Sequence, residues 1–385
     1  MKKTKIICTM GPETKNKDII EELIKSGMNA ARLSSSNGGY EDHKAHINMI
    51  KSVREELGTH TAIILDIKGN NSEPEIYRKG NLSEKDICDL KFGVENEVDI
   101  ITASYINNAN DVETIRAILK SSGGENLQVY AKIETQEGIN NIDAIISVAD
   151  GIMVARGHLG DEIPVEDIPA VQKMIIERCN VAGIPVITAT QMMESMILNP
   201  RPTRAEASDV ANAIFDGTDA IMLSNETAYG KYPVESVKTM TRIAVKTEEY
   251  LKYDEHFEKR KRRTQTNIPN AISEATCDTA KQLNAKAIIT ATQSGKTAKN
   301  ISKYKPKCTI IACTPNEKVA RRLSLSWGVL PILIPKVRDT DELINTSSQI
   351  VLRENYVNKN DLVIFVAGIP INYVGSTNMM KVHII

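Results

Sequence analysis

The alternation of short apolar runs, rich in β-branched residues, with longer stretches of helical periodicity most constrains how this chain can fold. Between the runs, apolar residues recur at helical spacing, as in Ile20, Leu23 and Ile24, which is typical of amphipathic helices. Eight βα units in roughly 240 residues predict a (β/α)8 barrel over residues 1–250. The eight runs lie at 5–9, 30–33, 61–66, 98–103, 127–132, 151–155, 185–190 and 219–223.

A smaller unit follows the barrel. Residues 251–266 are dense in charge and poor in apolar periodicity, so we interpret them as a solvated linker. Their basic cluster at 259–263 lacks interleaved aromatic residues, which argues against a nucleic-acid surface. Further apolar runs alternate with helical stretches and predict an open α/β sheet over 267–385. These runs lie at 287–290, 309–313, 331–334, 362–366 and 382–385.

The composition excludes several classes of protein. The 48 Lys and Arg residues balance 49 Asp and Glu residues, so no bulk charge favours nucleic acid or an acidic membrane. No apolar run is long enough for a membrane span or a secretion signal. The six cysteines form no CxxC pair, which predicts a reducing, cytoplasmic setting.

Polar or charged residues close nearly every predicted barrel strand. Barrel active sites are built at the carboxyl ends of the strands, although loops are polar in any protein and part of this pattern can arise by chance. The residues at these ends are Thr9, Arg32, Asp66, Ser104, Lys132 with Glu134, Arg156, Thr190 and Ser224.

Several segments resemble the pyruvate kinase family, in the family's order and along the whole chain. The resemblance implies a (β/α)8 barrel followed by an α/β domain, in a homotetramer or homodimer. It also implies phosphoryl transfer from phosphoenolpyruvate to ADP and protonation of the pyruvate enolate, with Mg²⁺ or Mn²⁺ and commonly K⁺. The matching segments are GMNAARL at 27–33, AKIETQEG at 131–138, MVARG at 153–157, TATQMMESM at 188–196, NPRPTRAE at 199–206 and TNMMKVH at 377–383.

The resemblance assigns roles to four side chains at the strand ends. Arg32 and Lys132 match the cations that face the moving phosphoryl group, and Glu134 matches a carboxylate ligand of the divalent metal. Thr190 matches the hydroxyl beside the enolate proton transfer. Such a site works by neutralising several anions in place.

The resemblance also implies a cradle for the substrate carboxylate in the backbone of Arg156, Gly157 and His158. The family has an Asp after Gly157 that completes the metal site with Glu134, whereas this chain has His158. Because Mg²⁺ prefers oxygen ligands, we expect its affinity to fall. Two interpretations stay open: a site that has decayed, or one that now prefers Mn²⁺, Fe²⁺ or Zn²⁺.

The potassium site of the family is also weakened. Its ligands match Ser34, Ser36, Asp66 and Ile67, where the family pattern has Asn, Ser, Asp and Thr. Ile67 offers no side-chain oxygen and Ser34 is shorter than Asn, so we expect weak K⁺ binding.

The largest difference from the family follows the third strand, where the family carries a lid domain that closes over the nucleotide. Here a short loop over 67–83 takes its place. A dozen residues cannot form a domain, because so small a core cannot offset the entropy lost on ordering. We therefore expect solvent at the transfer site and weak binding of ADP or ATP. Arg78 is either a shifted remnant of a family Arg or part of a solvated turn.

The C-terminal unit resembles the family at its effector loop. The segment TQSGKT at 292–297 offers hydroxyls, a glycine turn and backbone N–H groups to the phosphate of a sugar phosphate. A plain helix N-cap is the alternative. The segments at 367–370 and 375–377 resemble the lip of that pocket. The candidate residues of the loop are Thr292, Ser294, Gly295, Lys296 and Thr297.

Three functional hypotheses follow. The favoured one is a pyruvate kinase-like protein that binds phosphoenolpyruvate or a 2-oxo acid but has lost phosphotransfer, or retains it strongly reduced. The second is a metal-dependent enzyme of 2-oxo acid enolisation, decarboxylation or aldol-type chemistry on the same barrel. The third is a slow but authentic pyruvate kinase.

Overall fold

Eight strands in the first part of the chain are buried over their whole length, as expected for parallel strands covered on both faces. In this computed structural model, which describes residues 2–67, 82–371 and 377–385, they close into a barrel of parallel neighbours from β1 to β8. The (β/α)8 prediction is confirmed. The strands are β1 Lys5–Thr9, β2 Ala30–Ser34, β3 Ala62–Ile67, β4 Ile100–Ala103, β5 Gln128–Ile133, β6 Gly151–Ala155, β7 Val186–Ala189 and β8 Ala220–Leu223.

Helices alternate with these strands. Several begin with a capping box, in which the side chain of the residue before the helix and the side chain three residues later each accept a hydrogen bond from the other residue's backbone N–H. The capping pairs are Ser83 with Asp86, Asn108 with Asp111, and Thr203 with Glu206. The helices are α1 Lys17–Ser26, α2 Tyr40–Glu56, α3 Glu84–Glu95, α4 Ala109–Ser121, α5 Gln136–Asn140, α6 Ile142–Val148, α7 Arg156–Glu162, α8 Ile168–Ala182, α9 Arg204–Asp216, α10 Asn225–Ala228 and α11 Pro233–Glu249, with short 3₁₀ turns at Pro12–Thr14 and Glu194–Ile197.

The chain divides into one unit at Met1–Tyr250 and a second at Leu251–Ile385. The second unit holds a five-stranded sheet in the order β11-β10-β9-β12-β13, parallel except for the edge strand β13. The predicted open α/β sheet is confirmed. Its strands are β9 Ala287–Ala291, β10 Thr309–Thr314, β11 Val329–Leu333, β12 Leu362–Ala367 and β13 Met379–Ile384, and its helices are α12 Tyr253–Lys261, α13 Ile268–Gln282, α14 Lys296–Ser302, α15 Glu317–Leu323 and α16 Thr340–Arg353.

Two apolar cores cover the two faces of this sheet. Ile288 on β9 belongs to one core and its neighbour Ile289 to the other, as the alternation of side chains along a strand requires. Ile364 and Phe365 divide in the same way on β12.

The charged stretch at 251–266 is not a solvated linker throughout. It contains helix α12, whose Phe257 is 6% exposed and packs in the core of the second unit. The Phe257 ring lies 5.8 Å from that of Tyr304. The dense charge of this stretch hides the pattern of a helix in the sequence. Burial of the Phe257 side chain, which contributes about 2–3 kcal/mol, holds this helix against the core.

The six cysteines are free thiols, with Cys88 exposed and Cys308 half-buried. Burial raises the pKa of Cys8, Cys179 and Cys277 above the ordinary value, and that of Cys313 to about 11. None of the helices that the structure describes is long and apolar enough to cross a membrane.

Candidate active site at the mouth of the barrel

The carboxyl ends of β2, β3 and β5 bring two cations and two carboxylates together. Arg32 lies in the middle of β2 and its side chain reaches Asp66 near the end of β3, while Lys132 lies on β5 and Glu134 just after it. Asp66 and Glu134 are 0% exposed and Lys132 is 3% exposed. Neighbouring parallel strands place their ends on one rim, so the predicted charged residues form one buried cluster.

Asp66 is the centre of this cluster. Arg32 donates to Asp66 Oδ2, with Nε at 2.9 Å and Nη2 closer still. Thr102 Oγ1 donates to Asp66 Oδ1 at 2.8 Å, and Lys132 Nζ lies 3.4 Å from the same oxygen. Burial opposes ionisation, but the charges of Arg32 and Lys132 outweigh it and lower the pKa of Asp66 to about 2. Asp66 therefore compensates both cations before any ligand arrives.

Lys132 lies between the two carboxylates. Its Nζ is 3.4 Å from Glu134 Oε1 and donates to Ser104 Oγ at 2.7 Å. A buried ammonium group needs such partners, because an unpaired buried charge is costly. An incoming anion would have to compete with these contacts for the charge of Lys132.

Glu134 is engaged at both oxygens. His158 Nδ1 lies 2.6 Å from Oε1, and the backbone N–H of Tyr105 donates to Oε2 at 2.8 Å. Burial acts against ionisation, but Lys132 and then His158 lower the pKa of Glu134. The rings of Tyr105 and His158 stack with centroids 5.9 Å apart. Tyr105 thus supports both members of the Glu134–His158 pair.

The donor set does not fit Mg²⁺ well. One carboxylate and one imidazole replace the hard oxygen ligands that this ion prefers, and each is already bonded to the other. Within residues 2–67, 82–371 and 377–385, no group of three or more His, Cys, Asp or Glu side chains is arranged to hold a metal.

Thr190 stands on a strained turn at the end of β7. Its φ is +70° and that of Gln191 is +51°, a region that β-branched residues rarely enter. Thr190 Oγ1 accepts from the backbone N–H of Gly157 at 2.8 Å and donates to the carbonyl of Ala189 at 2.6 Å. The predicted cradle and the predicted hydroxyl therefore lie in contact with each other.

The side chain of Arg156 is bound within the protein. It makes an ion pair with Asp209 at 2.7 Å and donates to the carbonyls of Thr190 at 2.7 Å and Gln191 at 3.3 Å. These contacts join the start of α7 to the turn that carries Thr190. Only the backbone at residue 156 remains for a cradle, because the guanidinium group holds the strained turn in place.

The four residues predicted to bind potassium make different contacts in the structure. Ser34 and Ser36 are joined at 3.2 Å between hydroxyl oxygens, and Asp66 is committed to Arg32 and Lys132. Ile67 is buried and carries no side-chain oxygen. The loop at 68–81, with Arg78, lies outside the described residues.

Sequence reasoning missed several residues of the site. Ser104 was recognised as a strand-end group but given no partner, and Tyr105 follows it at the same rim. Thr102 lies inside β4 and Asp209 lies on α9, where no strand-end rule applies. Their contacts arise only from the tertiary structure.

The predicted effector loop lines a small cavity of about 50 Å³ in the second unit. Gly295 has a φ of +88°, which glycine adopts without strain, and its N–H donates to Thr292 Oγ1 at 2.9 Å. Thr297 and Thr377 are joined at 3.0 Å between hydroxyl oxygens. Residues 375 and 376 of the predicted lip lie outside the described residues. The other described lining residues include Ser294, Lys296, Lys336 and Gly368, and none of the described ones carries a carboxylate.

Two family models match most of the chain. The pyruvate kinase barrel domain matches residues 1–81 and 76–237, and the pyruvate kinase alpha/beta domain matches residues 270–383. The two barrel matches meet at 76–81, between the end of β3 and the start of α3. This is where the sequence lacks the lid domain.

Several pyruvate kinases are similar to this chain in sequence. The chain is 44% identical to the pyruvate kinase of Clostridium acetobutylicum over 472 aligned positions that cover both chains completely. It is 43% identical to that of Sporosarcina psychrophila, covering 81% of the relative, and 40% identical to that of Geobacillus stearothermophilus, covering 80%. With 385 residues, this chain is shorter than each of these alignments.

Proposed function

Because this chain belongs to the pyruvate kinase family, we propose that its barrel mouth binds phosphoenolpyruvate or a related 2-oxo acid, with strongly reduced phosphoryl transfer to ADP. Binding is supported by the buried cations Arg32 and Lys132 and by Thr190 beside Gly157. Reduced transfer is supported by the missing lid, since exclusion of water strengthens the interactions that stabilise moving charge.

The contact between His158 Nδ1 and Glu134 Oε1 at 2.6 Å carries the proposal. An imidazole occupies the carboxylate oxygen that a divalent ion would need, where the family has a second carboxylate. Mg²⁺ would have to break this bond and accept a nitrogen ligand in place of oxygen.

An anion that binds at the barrel mouth must compete with Asp66 and Glu134 for the charge of Lys132. A substrate phosphate or carboxylate would draw Lys132 from Asp66 and Glu134, which each lie 3.4 Å away. Thr190 can supply a hydroxyl at the mouth once its bond to the Ala189 carbonyl, now 2.6 Å, is released. The hydrogen bond from the backbone N–H of Gly157, at 2.8 Å, holds this hydroxyl in place.

We further propose that any divalent ion held by Glu134 and His158 is Mn²⁺ or another transition metal, since imidazole suits these ions better than Mg²⁺. K⁺ binding is weak, because Ile67 adds no side-chain oxygen.

The effector cavity takes a sugar phosphate through Lys296 and Thr297. The protein is proposed to be a cytoplasmic homo-oligomer.

Restoring a carboxylate provides the test. His158→Asp should raise Mg²⁺-dependent pyruvate formation at least tenfold in a coupled assay with ADP and phosphoenolpyruvate, because Asp adds an oxygen ligand and frees Glu134 Oε1. His158→Asn is the matched control, since it removes the imidazole without adding charge, and it should leave turnover near background. Robust Mg²⁺-dependent turnover by the unmodified protein would refute the proposal and favour an authentic kinase.

A further inference from the structure

A second cavity of the Leu251–Ile385 unit, of about 450 Å³, shares no lining residue with the effector cavity among the residues that the structure describes. Helices α12 and α13 form two of its sides, and the segments at 284–286 and 304–308 form the rest. Cavities of this size accommodate small ligands. We call it the lysine cavity after its charged lining.

Cations outnumber carboxylates in this lining. Of the residues that the structure describes, four lysines and one carboxylate, that of Asp254, line the cavity. Asp254 lies 3.0 Å from Lys281 Nζ, and this ion pair joins α12 to α13. The four lysines are Lys281, Lys286, Lys305 and Lys307.

The floor of the cavity is apolar. Phe257, Cys277, Ala280 and Tyr304 are buried members of the core and also line the cavity. An apolar floor has a low dielectric constant, which strengthens the attraction of the lysines for an anion. A planar or apolar part of a ligand would pack against this floor.

One lysine is fixed within the lining. Lys305 is 5% exposed, and its Nζ lies 5.1 Å from the centroid of the Trp327 ring. This cation–π contact helps to hold the ammonium group in place. The positive field also reaches His256 on α12, where burial and the charges of Arg260, Lys305 and Lys259 lower the pKa to about 4.

We propose that the lysine cavity binds a small phosphorylated metabolite with a planar or apolar group, at a site separate from both the barrel mouth and the effector cavity. The lysines bind the phosphate, and the floor formed with Phe257 and Tyr304 packs against the apolar part. This site needs no activity at the barrel, so it stands independently of the proposed function.

The single tryptophan of the chain gives a direct signal. Trp327 lies beside Lys305 and its ring is 6.3 Å from that of Tyr253, and both of these neighbours line the cavity. Titration with phenyl phosphate should change the tryptophan fluorescence in a saturable manner. Inorganic phosphate should bind more weakly, because it leaves the apolar floor uncovered.

Charge reversal then locates the site. The double variant Lys286→Glu and Lys307→Glu alters exposed side chains and should weaken phenyl phosphate binding at least tenfold. Lys359→Glu, an equivalent change at an exposed lysine outside both cavities, should weaken it less than threefold. Lys296→Glu, in the effector cavity, should leave the fluorescence titration unchanged.

Three outcomes would overturn the proposal. The first is the absence of binding to the unmodified protein by fluorescence and by calorimetry at millimolar phenyl phosphate. The second is loss of binding in Lys296→Glu with retention in the double variant, which assigns the signal to the effector cavity. The third is equal weakening by Lys359→Glu, which assigns it to overall charge. Circular dichroism and thermal melting confirm that each variant is folded.

Discussion

The barrel mouth and the effector cavity offer similar groups to an anion but differ in charge balance. At the mouth, Asp66 and Glu134 already compensate the two cations Arg32 and Lys132. Among the described residues, the lining of the effector cavity includes Lys296 and Lys336 and no carboxylate. An anion must therefore displace internal partners at the mouth, whereas the described lining of the effector cavity holds cations without a carboxylate beside them. The barrel mouth has therefore kept its cationic residues, but internal carboxylates weaken their attraction for an incoming anion.

The largest effect is expected when Lys132, the cation between the two carboxylates of the barrel mouth, is replaced. Lys132→Met should lower the free energy of unfolding by about 3–5 kcal/mol, because Glu134 and part of the charge of Asp66 lose a buried partner. Urea denaturation measures the change. Lys44→Met, at an exposed position on α2, is the control and should change stability by less than about 0.5 kcal/mol. A loss below about 1 kcal/mol for Lys132→Met would mean that the mouth is not internally compensated.

Acid should weaken the mouth through Asp66. The pKa of Asp66 is about 2 in the folded chain against a usual value of 3.8. Its ionised form therefore stabilises the fold above pH 4, and this contribution is lost as the pH falls toward 2. The expected loss is about 2 kcal/mol between pH 5 and pH 2.

Urea denaturation over this pH range measures the loss. Asp66→Asn should be less stable at pH 6 and should show a shallower decline on acidification. A parallel pH dependence in the two proteins would remove Asp66 as the source.

The effector cavity should respond to charge reversal in its lining. Lys296→Glu should weaken binding of glucose 6-phosphate at least tenfold, equivalent to about 1.4 kcal/mol, because it replaces a lining cation by an anion. Isothermal titration calorimetry measures the affinity, with Lys359→Glu as the control. Unchanged affinity in Lys296→Glu would show that this cavity does not bind the phosphate.

The smallest effect is expected at Arg156. Arg156→Lys keeps the charge near Asp209 but loses contacts with the carbonyls of Thr190 and Gln191. The Thr190 methyl resonance should shift and broaden, while stability falls by about 1 kcal/mol. An unchanged resonance would show that Arg156 does not position Thr190. Thr297→Val, in the second unit, is the control for this spectrum.

Most of the fold could be predicted because burial and periodicity are local properties of the sequence. Strands β1 and β6 have the predicted bounds, and the other barrel strands differ from them by one or two residues at one end or at both. Helix α12 was missed because its apolar pattern reduces to Phe257 amid charged residues. Propensity and patterning have little information where one tertiary contact decides the structure.

The candidate site was predictable in its residues but not in its pairing. The strand-end rule places Arg32, Asp66 and Lys132 on one rim, and the structure brings them together. No spacing in the sequence shows that His158 bonds to Glu134 or that Arg156 turns toward Asp209. Those contacts depend on side-chain directions that only the closed barrel fixes.

The distribution of the cysteines has a practical consequence. Four of the thiols are buried, while Cys88 is exposed and Cys308 is half-buried at the lining of the lysine cavity. An alkylating reagent should therefore modify Cys88 quickly and Cys308 more slowly, and leave the buried thiols intact while the chain stays folded. After Cys88→Ser, the alkylation rate of Cys308 would become a chemical footprint of whatever occupies that cavity.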